Sequence, residues 1–158
     1  MISLRILVAD ADPAVKTAVR LFLGQDAPDV LDAMDGERAL FILRTIPLDL
    51  VLVDVLLPKL DGLELLRIVR SEPTPRLRST AFVLLASNAT PDLAARARTH
   101  GANEVLQKPL STAGIAALLN RAQKRRESGA SWKQVRAAPN VVETTGQPST
   151  LPPPKRGG

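Results

Sequence analysis

The sequence predicts an α/β protein built on one doubly wound, parallel sheet of five strands, and three observations lead there. Short aliphatic runs near 4–9, 29–33, 50–53, 81–85 and 104–107 alternate with longer segments of helical period, which is the pattern of βαβ units. The runs are continuously apolar, as suits strands covered by helices on both faces. Several runs end on a polar or small residue. Asp10 follows Ile6-Leu7-Val8-Ala9, Asp54 follows Leu50-Val51-Leu52-Val53, Ala86 follows Val83-Leu84-Leu85, and Lys108 follows Glu104-Val105-Leu106-Gln107. In an open parallel sheet the carboxyl ends of the strands form the ligand crevice, so function is to be sought at these positions.

The helices follow in order. Asp12-Pro13 read as N-cap and first helical residue of the first helix, with Val15, Val19, Leu21 and Phe22 as its buried stripe and Gly24 as its stop. The second starts at Asp35-Gly36 and runs through Ala39, Leu40 and Ile42 to Arg44. The third starts near Asp61-Gly62, places Leu63, Leu66, Ile68 and Val69 on or near the core, and ends before Pro73 and Pro75. The fourth follows Thr90-Pro91 and is alanine-rich, a thin apolar stripe that predicts a loosely held helix. The fifth starts near Ser111, carries Ile115, Leu118 and Leu119, and closes on Lys124-Arg125-Arg126, where cations suit the helix dipole.

Composition narrows the function classes. Hydrophobic residues make up 45% of the 158, enough for one core, and aromatics only 3%, so aliphatic side chains must fill it. There is no cysteine, which excludes disulfides and thiolate metal sites. No signal peptide or transmembrane segment is visible, and a cytoplasmic protein is expected. The net charge of +5 is unevenly placed: residues 1–120 hold 13 Lys+Arg against 14 Asp+Glu, whereas residues 121–158 hold 8 against 2. Periodicity fades after about Glu127 and prolines accumulate. The division expected is a domain over 1–127 and a basic, proline-rich tail over 128–158, with 128–136 as a short basic turn around Trp132 and 137–158 disordered. Trp132 anchors that tail either on the domain or on a partner. For the basic run with Lys133 and Arg136, the alternatives are contact with nucleic acid or anionic lipid and a plain solvated helix end.

Four segments together carry a family resemblance. They are Arg5-Ile6-Leu7-Val8-Ala9-Asp10-Ala11-Asp12-Pro13, Ala33-Met34-Asp35-Gly36-Glu37-Arg38-Ala39-Leu40, the run from Asp49 through Asp54 to Asp61-Gly62, and Gly101-Ala102-Asn103-Glu104-Val105-Leu106-Gln107-Lys108-Pro109. In order and spacing, over about residues 2–125, the chain resembles the receiver domain of bacterial two-component response regulators, here in an atypical, single-domain form. The resemblance implies a flavodoxin-like (βα)5 fold with strand order 2-1-3-4-5. It implies Asp54 as phosphoacceptor, Lys108 as a point charge for the phosphoryl oxygens, and Mg2+ held by Asp10, Asp54 and the Leu56 backbone carbonyl. The partners it implies are a histidine kinase or phosphotransfer protein, and a downstream protein met by the fourth helix, fifth strand and fifth helix.

Three departures weigh against full activity. Ala11 stands where the family has its second loop acid, which removes an inner-sphere oxygen and weakens Mg2+; Asp12 either substitutes in part or caps the first helix. Ala86 stands where the family has a threonine or serine hydroxyl, and Ser87 is one residue off, on the opposite strand face unless a bulge turns it. Val105 stands where an aromatic switch residue is common. Two readings therefore compete: a phosphorylated receiver, and a phosphorylation-independent pseudo-receiver acting as a constitutive docking module. Residues 128–158 are too few and too proline-rich for a winged helix or helix-turn-helix, so sequence-specific DNA binding is not expected. His100 has no second ligand to complete a transition-metal site, and a metabolic enzyme is not expected.

Overall fold

The computed structural model describes residues 4–24, 29–129 and 131–132. Its elements are β1 (Ile6–Ala9), α1 (Ala14–Leu23), β2 (Val30–Ala33), α2 (Gly36–Thr45), β3 (Leu50–Asp54), α3 (Gly62–Ser71), α4 (Pro75–Arg78), β4 (Phe82–Ala86), α5 (Pro91–Thr99), β5 (Glu104–Gln107) and α6 (Thr112–Ser128). All strands run parallel, in the order β2-β1-β3-β4-β5, as the sequence predicts.

The continuous apolar runs have their explanation in two cores. Leu7, Val51, Val53, Leu84 and Val105 face one side, against Ile42, Leu43, Leu65, Leu66 and Val69 of α2 and α3. Ile6, Val8, Leu52, Val83 and Leu106 face the other, against Val15 and Val19 of α1 and Ile115, Leu118 and Leu119 of α6. Each such aliphatic side chain contributes roughly 1.5–3 kcal/mol by leaving water. Side chains carry the caps where the sequence placed them: Asp35 accepts from the Arg38 N–H, Asp61 from Glu64, Thr90 from Leu93 and Ser111 from Gly114.

Several local expectations need correction. Leu21 is 78% exposed and Phe22 44% exposed, so neither belongs to a buried stripe. Leu21 lies about 200° around the helix from Val19, and Phe22 is only partly covered in the last turn; Ala18 and Leu23 pack on the core in their place. In α1 the capping residue is Pro13, not Asp12, and Asp12 Oδ1 instead accepts the Ala14 N–H at 3.0 Å. The short α4 lies beyond the third helix that the sequence predicts, and Pro75 opens it at its first position. The alanine-rich α5 buries the small Ala94 and Ala97, an apolar stripe as thin as the sequence suggests.

At the C-terminal end, α6 runs to Ser128, and Gly129 closes it with a left-handed backbone at φ 68° that a residue with a side chain adopts only with strain. Trp132 lies on the domain and is only 4% exposed within the second core. Its Nε1 donates to Glu104 Oε1 at 2.8 Å, its carbonyl accepts from Arg121 Nη2 at 2.6 Å, and the Arg121 guanidinium sits 4.5 Å over its ring and pairs with Glu104. The packed unit therefore includes Trp132. The expected disorder over 137–158, together with Lys133 and Arg136, lies outside the described residues.

Candidate functional site

Three strand ends converge. Asp10 extends β1 by one residue, its N–H bonded to the Ala33 carbonyl at 3.1 Å, which fixes the direction of its side chain. Asp54 is the last residue of β3, opposite Leu85. Lys108 follows β5, with its N–H on the Ala86 carbonyl at 2.9 Å, and precedes a cis bond to Pro109.

Lys108 Nζ lies 2.7 Å from Asp10 Oδ2 and 2.7 Å from Asp54 Oδ2, so one ammonium bridges two carboxylates. The remaining oxygens are held by backbone: Asp10 Oδ1 accepts the Asp12 N–H and Asp54 Oδ1 accepts the Leu56 N–H, each at 2.9 Å. Burial pushes the Asp10 carboxyl up and the Asp54 charge adds to it, while Lys108 and the Asp12 N–H oppose. Burial also works against the Lys108 cation, but the hydrogen bonds and charges of Asp10 and Asp54 outweigh it and hold its pKa above the usual lysine range. The three groups leave one net negative charge at the mouth of the sheet.

The loop after β3 is shaped by two glycines. A Cβ on Gly62 would stand 2.5 Å from the Asp54 carbonyl oxygen, so only glycine lets α3 start this close to the strand end. A Cβ on Gly36 would stand 1.9 Å from the Leu60 carbonyl oxygen, and its N–H bonds Pro58 O at 3.0 Å, which pins the loop to α2. The sequence marks both only as Asp-Gly pairs; the close approaches are long-range and have no sequence signal.

The structure thus brings Asp10, Asp54 and Lys108 together. Leu56 sits beside them with its N–H turned to Asp54 and its side chain 79% exposed. Ala11 is exposed and offers no oxygen, and the Asp12 carboxylate is engaged with the start of α1. Ala86 is buried in a regular β4 paired with β5, and Ser87 is exposed, bordering a cavity of about 430 Å³ with Lys108 and Asp12. Val105 is buried, and His100 sits at the far end of α5. Among the described residues no cluster of three or more acidic, imidazole or thiol groups stands ready for a metal. The side-chain donors brought together, the Asp10 and Asp54 carboxylates, are oxygen, which fits a hard cation that keeps much of its water. Among the described residues no helix is long and apolar enough to cross a membrane.

Comparison with known proteins agrees with this geometry. Residues 6–120 match the response regulator receiver domain family. The chain is 31% identical to the response regulator GtcR of Aneurinibacillus migulanus over 121 residues, covering 74% of this chain and 48% of that protein. It is 34% identical to the transcriptional regulatory protein TrcR of Mycobacterium tuberculosis over 118 residues, covering 73% of this chain and 44% of that protein. The chain therefore spans about half the length of these relatives. Among solved structures, the receiver domain of sensor histidine kinase PA1611 from Pseudomonas aeruginosa PAO1, which has a magnesium ion coordinated in its active-site cleft, superposes with a TM-score of 0.65 at 25% identity, covering 80% of this chain and all of that one. With the sheet order, the converging acids and lysine, and a family match over most of its length, this chain belongs to the response regulator receiver domain family.

Proposed function

We propose that this chain is a signalling receiver that takes a phosphoryl group on Asp54 from a histidine kinase or phosphotransfer protein and regulates a partner by protein–protein contact. The observation that carries the reading is the Lys108 ammonium 2.7 Å from both Asp10 and Asp54 at the carboxyl ends of three strands. An Asp54 oxygen attacks the phosphorus of a phosphohistidine. The P–N bond breaks, the departing imidazole nitrogen takes up a proton from solvent, and an acyl phosphate forms. Transfer of this kind depends on positioning and charge neutralisation, which Lys108 supplies to the phosphoryl oxygens. When bound, Mg2+ would neutralise further charge there, held by Asp10, Asp54 and the Leu56 carbonyl; with Ala11 in place of an acid its hold is weakened. Output is assigned to the face of α5, β5 and α6. The protein acts in the cytoplasm as a signalling module rather than a metabolic enzyme.

A second reading, a constitutive docking module, is favoured by Ala11 and by Ala86, which is buried with no hydroxyl to follow a phosphoryl group. Amide NMR with Mg2+, before and after beryllofluoride, decides between them, with Asp54→Asn as control. Shifts at Asp10, Asp54 and Lys108 that vanish in the control and spread to α5 and β5 support a phosphorylation switch. Shifts confined to the site support an acceptor without a switch. No response at millimolar Mg2+ rejects phosphorylation and leaves the docking module.

A further inference from the structure

The opposite end of the sheet carries a second charged feature. In a parallel α/β fold the helices return against the strands, so the ends of α1, α2, α3, α5 and α6 gather away from Asp54. Each has an arginine in its last turn: Arg20, Arg44, Arg70, Arg98 and Arg125. Cations there complement the helix dipoles, but at one place they exceed that need. Between α4 and α6 lies a groove of about 230 Å³ lined by Asp49, Arg76, Ser79, Thr80, Arg125 and Arg126.

The hydrogen bonds show that one of the groove's three arginines is neutralised and two are not. Arg126 pairs with Asp49 at 2.6 Å. Arg125 Nη2 donates to the Ser79 carbonyl at 2.7 Å, and Arg76 Nη1 reaches the Ile46 carbonyl at 3.4 Å. A carbonyl orients a guanidinium and leaves its charge in place. Behind the groove, Arg70 donates to the carbonyls of Gly101, Arg78 and Thr80 and to the Asn103 side chain, all neutral acceptors. Burial, and to a lesser extent the charge of Arg125, push the Arg70 guanidinium down to about 10.

Guanidinium forks match phosphate oxygens in shape and charge. No aromatic side chain lines the groove, and Trp132 is turned into the core. Base stacking on single strands and aromatic anchoring in a lipid surface both lack their usual instrument. A duplex backbone needs neither, and the sequence after Arg126 continues in the same sign, with 4 Lys+Arg against 2 Asp+Glu. We propose that the groove of Arg76 and Arg125 binds the phosphate backbone of duplex nucleic acid without reading its sequence, at the end of the molecule remote from Asp54.

The test is fluorescence anisotropy of the full chain with labelled DNA duplexes of unrelated sequence, between about 50 and 200 mM salt. Similar affinities across sequences and a linear fall of log affinity with log salt are expected. Arg76→Gln with Arg125→Gln should reduce the slope by about two and weaken low-salt binding roughly tenfold or more. Arg76→Gln alone, which loses only a long carbonyl contact, should reduce the slope by about one with the far-UV CD spectrum unchanged. Arg38→Gln, on the exposed face of α2, should change nothing. A double variant that keeps the full slope overturns the proposal. So does binding that is lost only when Lys133, Arg136, Lys155 and Arg156 are changed to Gln, because the contact then belongs to the tail. Tighter, Arg76-dependent binding to phosphatidylserine vesicles than to duplex also overturns it.

Discussion

Lys108→Met removes the ammonium and keeps most of the stem, so it isolates the charge at the bridged site. The two 2.7 Å bonds place Asp10 Oδ2 and Asp54 Oδ2 no more than about 5.4 Å apart. Two unit charges at that separation repel by roughly 3 kcal/mol at an effective dielectric constant of about 20. Removing one partner of a fully buried pair typically costs about 3–5 kcal/mol. The Lys108 and Asp54 side chains are 15% and 14% exposed, so solvent tempers the effect, and the expected loss is about 2–4 kcal/mol near pH 7. Its pH dependence has a definite sign. Burial already raises the Asp10 carboxyl, and losing Lys108 removes the largest opposing interaction, so its folded pKa rises further. The folded state then binds more protons than the unfolded state above the ordinary aspartate value of 3.8, and stability rises as pH falls through that window. The deficit of the variant should therefore shrink between about pH 7 and pH 5. Urea unfolding followed by far-UV CD at both values measures it. A loss below about 1 kcal/mol, or one equal at both pH values, would refute the coupling of Lys108 to both acids.

Other expectations follow from the same geometry. Asp10→Asn relieves a desolvated charge but leaves one amide oxygen for two donors, the Asp12 N–H and the Lys108 ammonium; near pH 7 it should cost about 1–2 kcal/mol, read from the urea midpoint. Lys108, held above 10.5, contributes stability that is present below that value and lost as pH rises through its folded pKa; alkaline titration should therefore destabilise wild type more than Lys108→Met. Gly62→Ala drives a methyl to 2.5 Å from the Asp54 carbonyl oxygen, so it should cost about 1–3 kcal/mol and blunt the beryllofluoride response, despite alanine's better helix propensity. Ala11→Asp restores a third carboxylate and should tighten Mg2+ at least tenfold, about 1.4 kcal/mol, in an NMR titration.

What could be read in advance depended on range. The parallel sheet and both cores are legible in runs such as Leu50-Val51-Leu52-Val53, because residues buried on both faces leave an unbroken apolar signature; the strand order comes only from the family resemblance. Asp10, Asp54 and Lys108 were legible because strand ends are local features and the sheet brings them together. Leu21 and Phe22 misled because apolar character does not say whether a helix face is covered. Of the two uses of Asp12 the sequence favours the helix start, and its bond to the Ala14 N–H agrees, although the capping residue itself is Pro13. Partners far apart in the chain had no local signal at all: Trp132 with Glu104 and Arg121, the arginines of the basal groove, and the close approach of Gly62 to Asp54.

The packing of Trp132 decides what optical measurements on this protein report. It is the only tryptophan, and the sequence has no tyrosine, so indole emission comes from one ring beneath Arg121. That ring bonds Glu104 at the start of β5, whereas Lys108 follows the other end of the strand, about 13 Å away. Glu104 Oε2 and Arg121 Nε are buried and make no hydrogen bond among the described residues, which raises the cost of keeping this clasp shut. Emission therefore follows the opening of a C-terminal clasp, and CD follows the sheet and helices as a whole. Where the two curves part, a free energy taken from fluorescence describes a local opening rather than global unfolding.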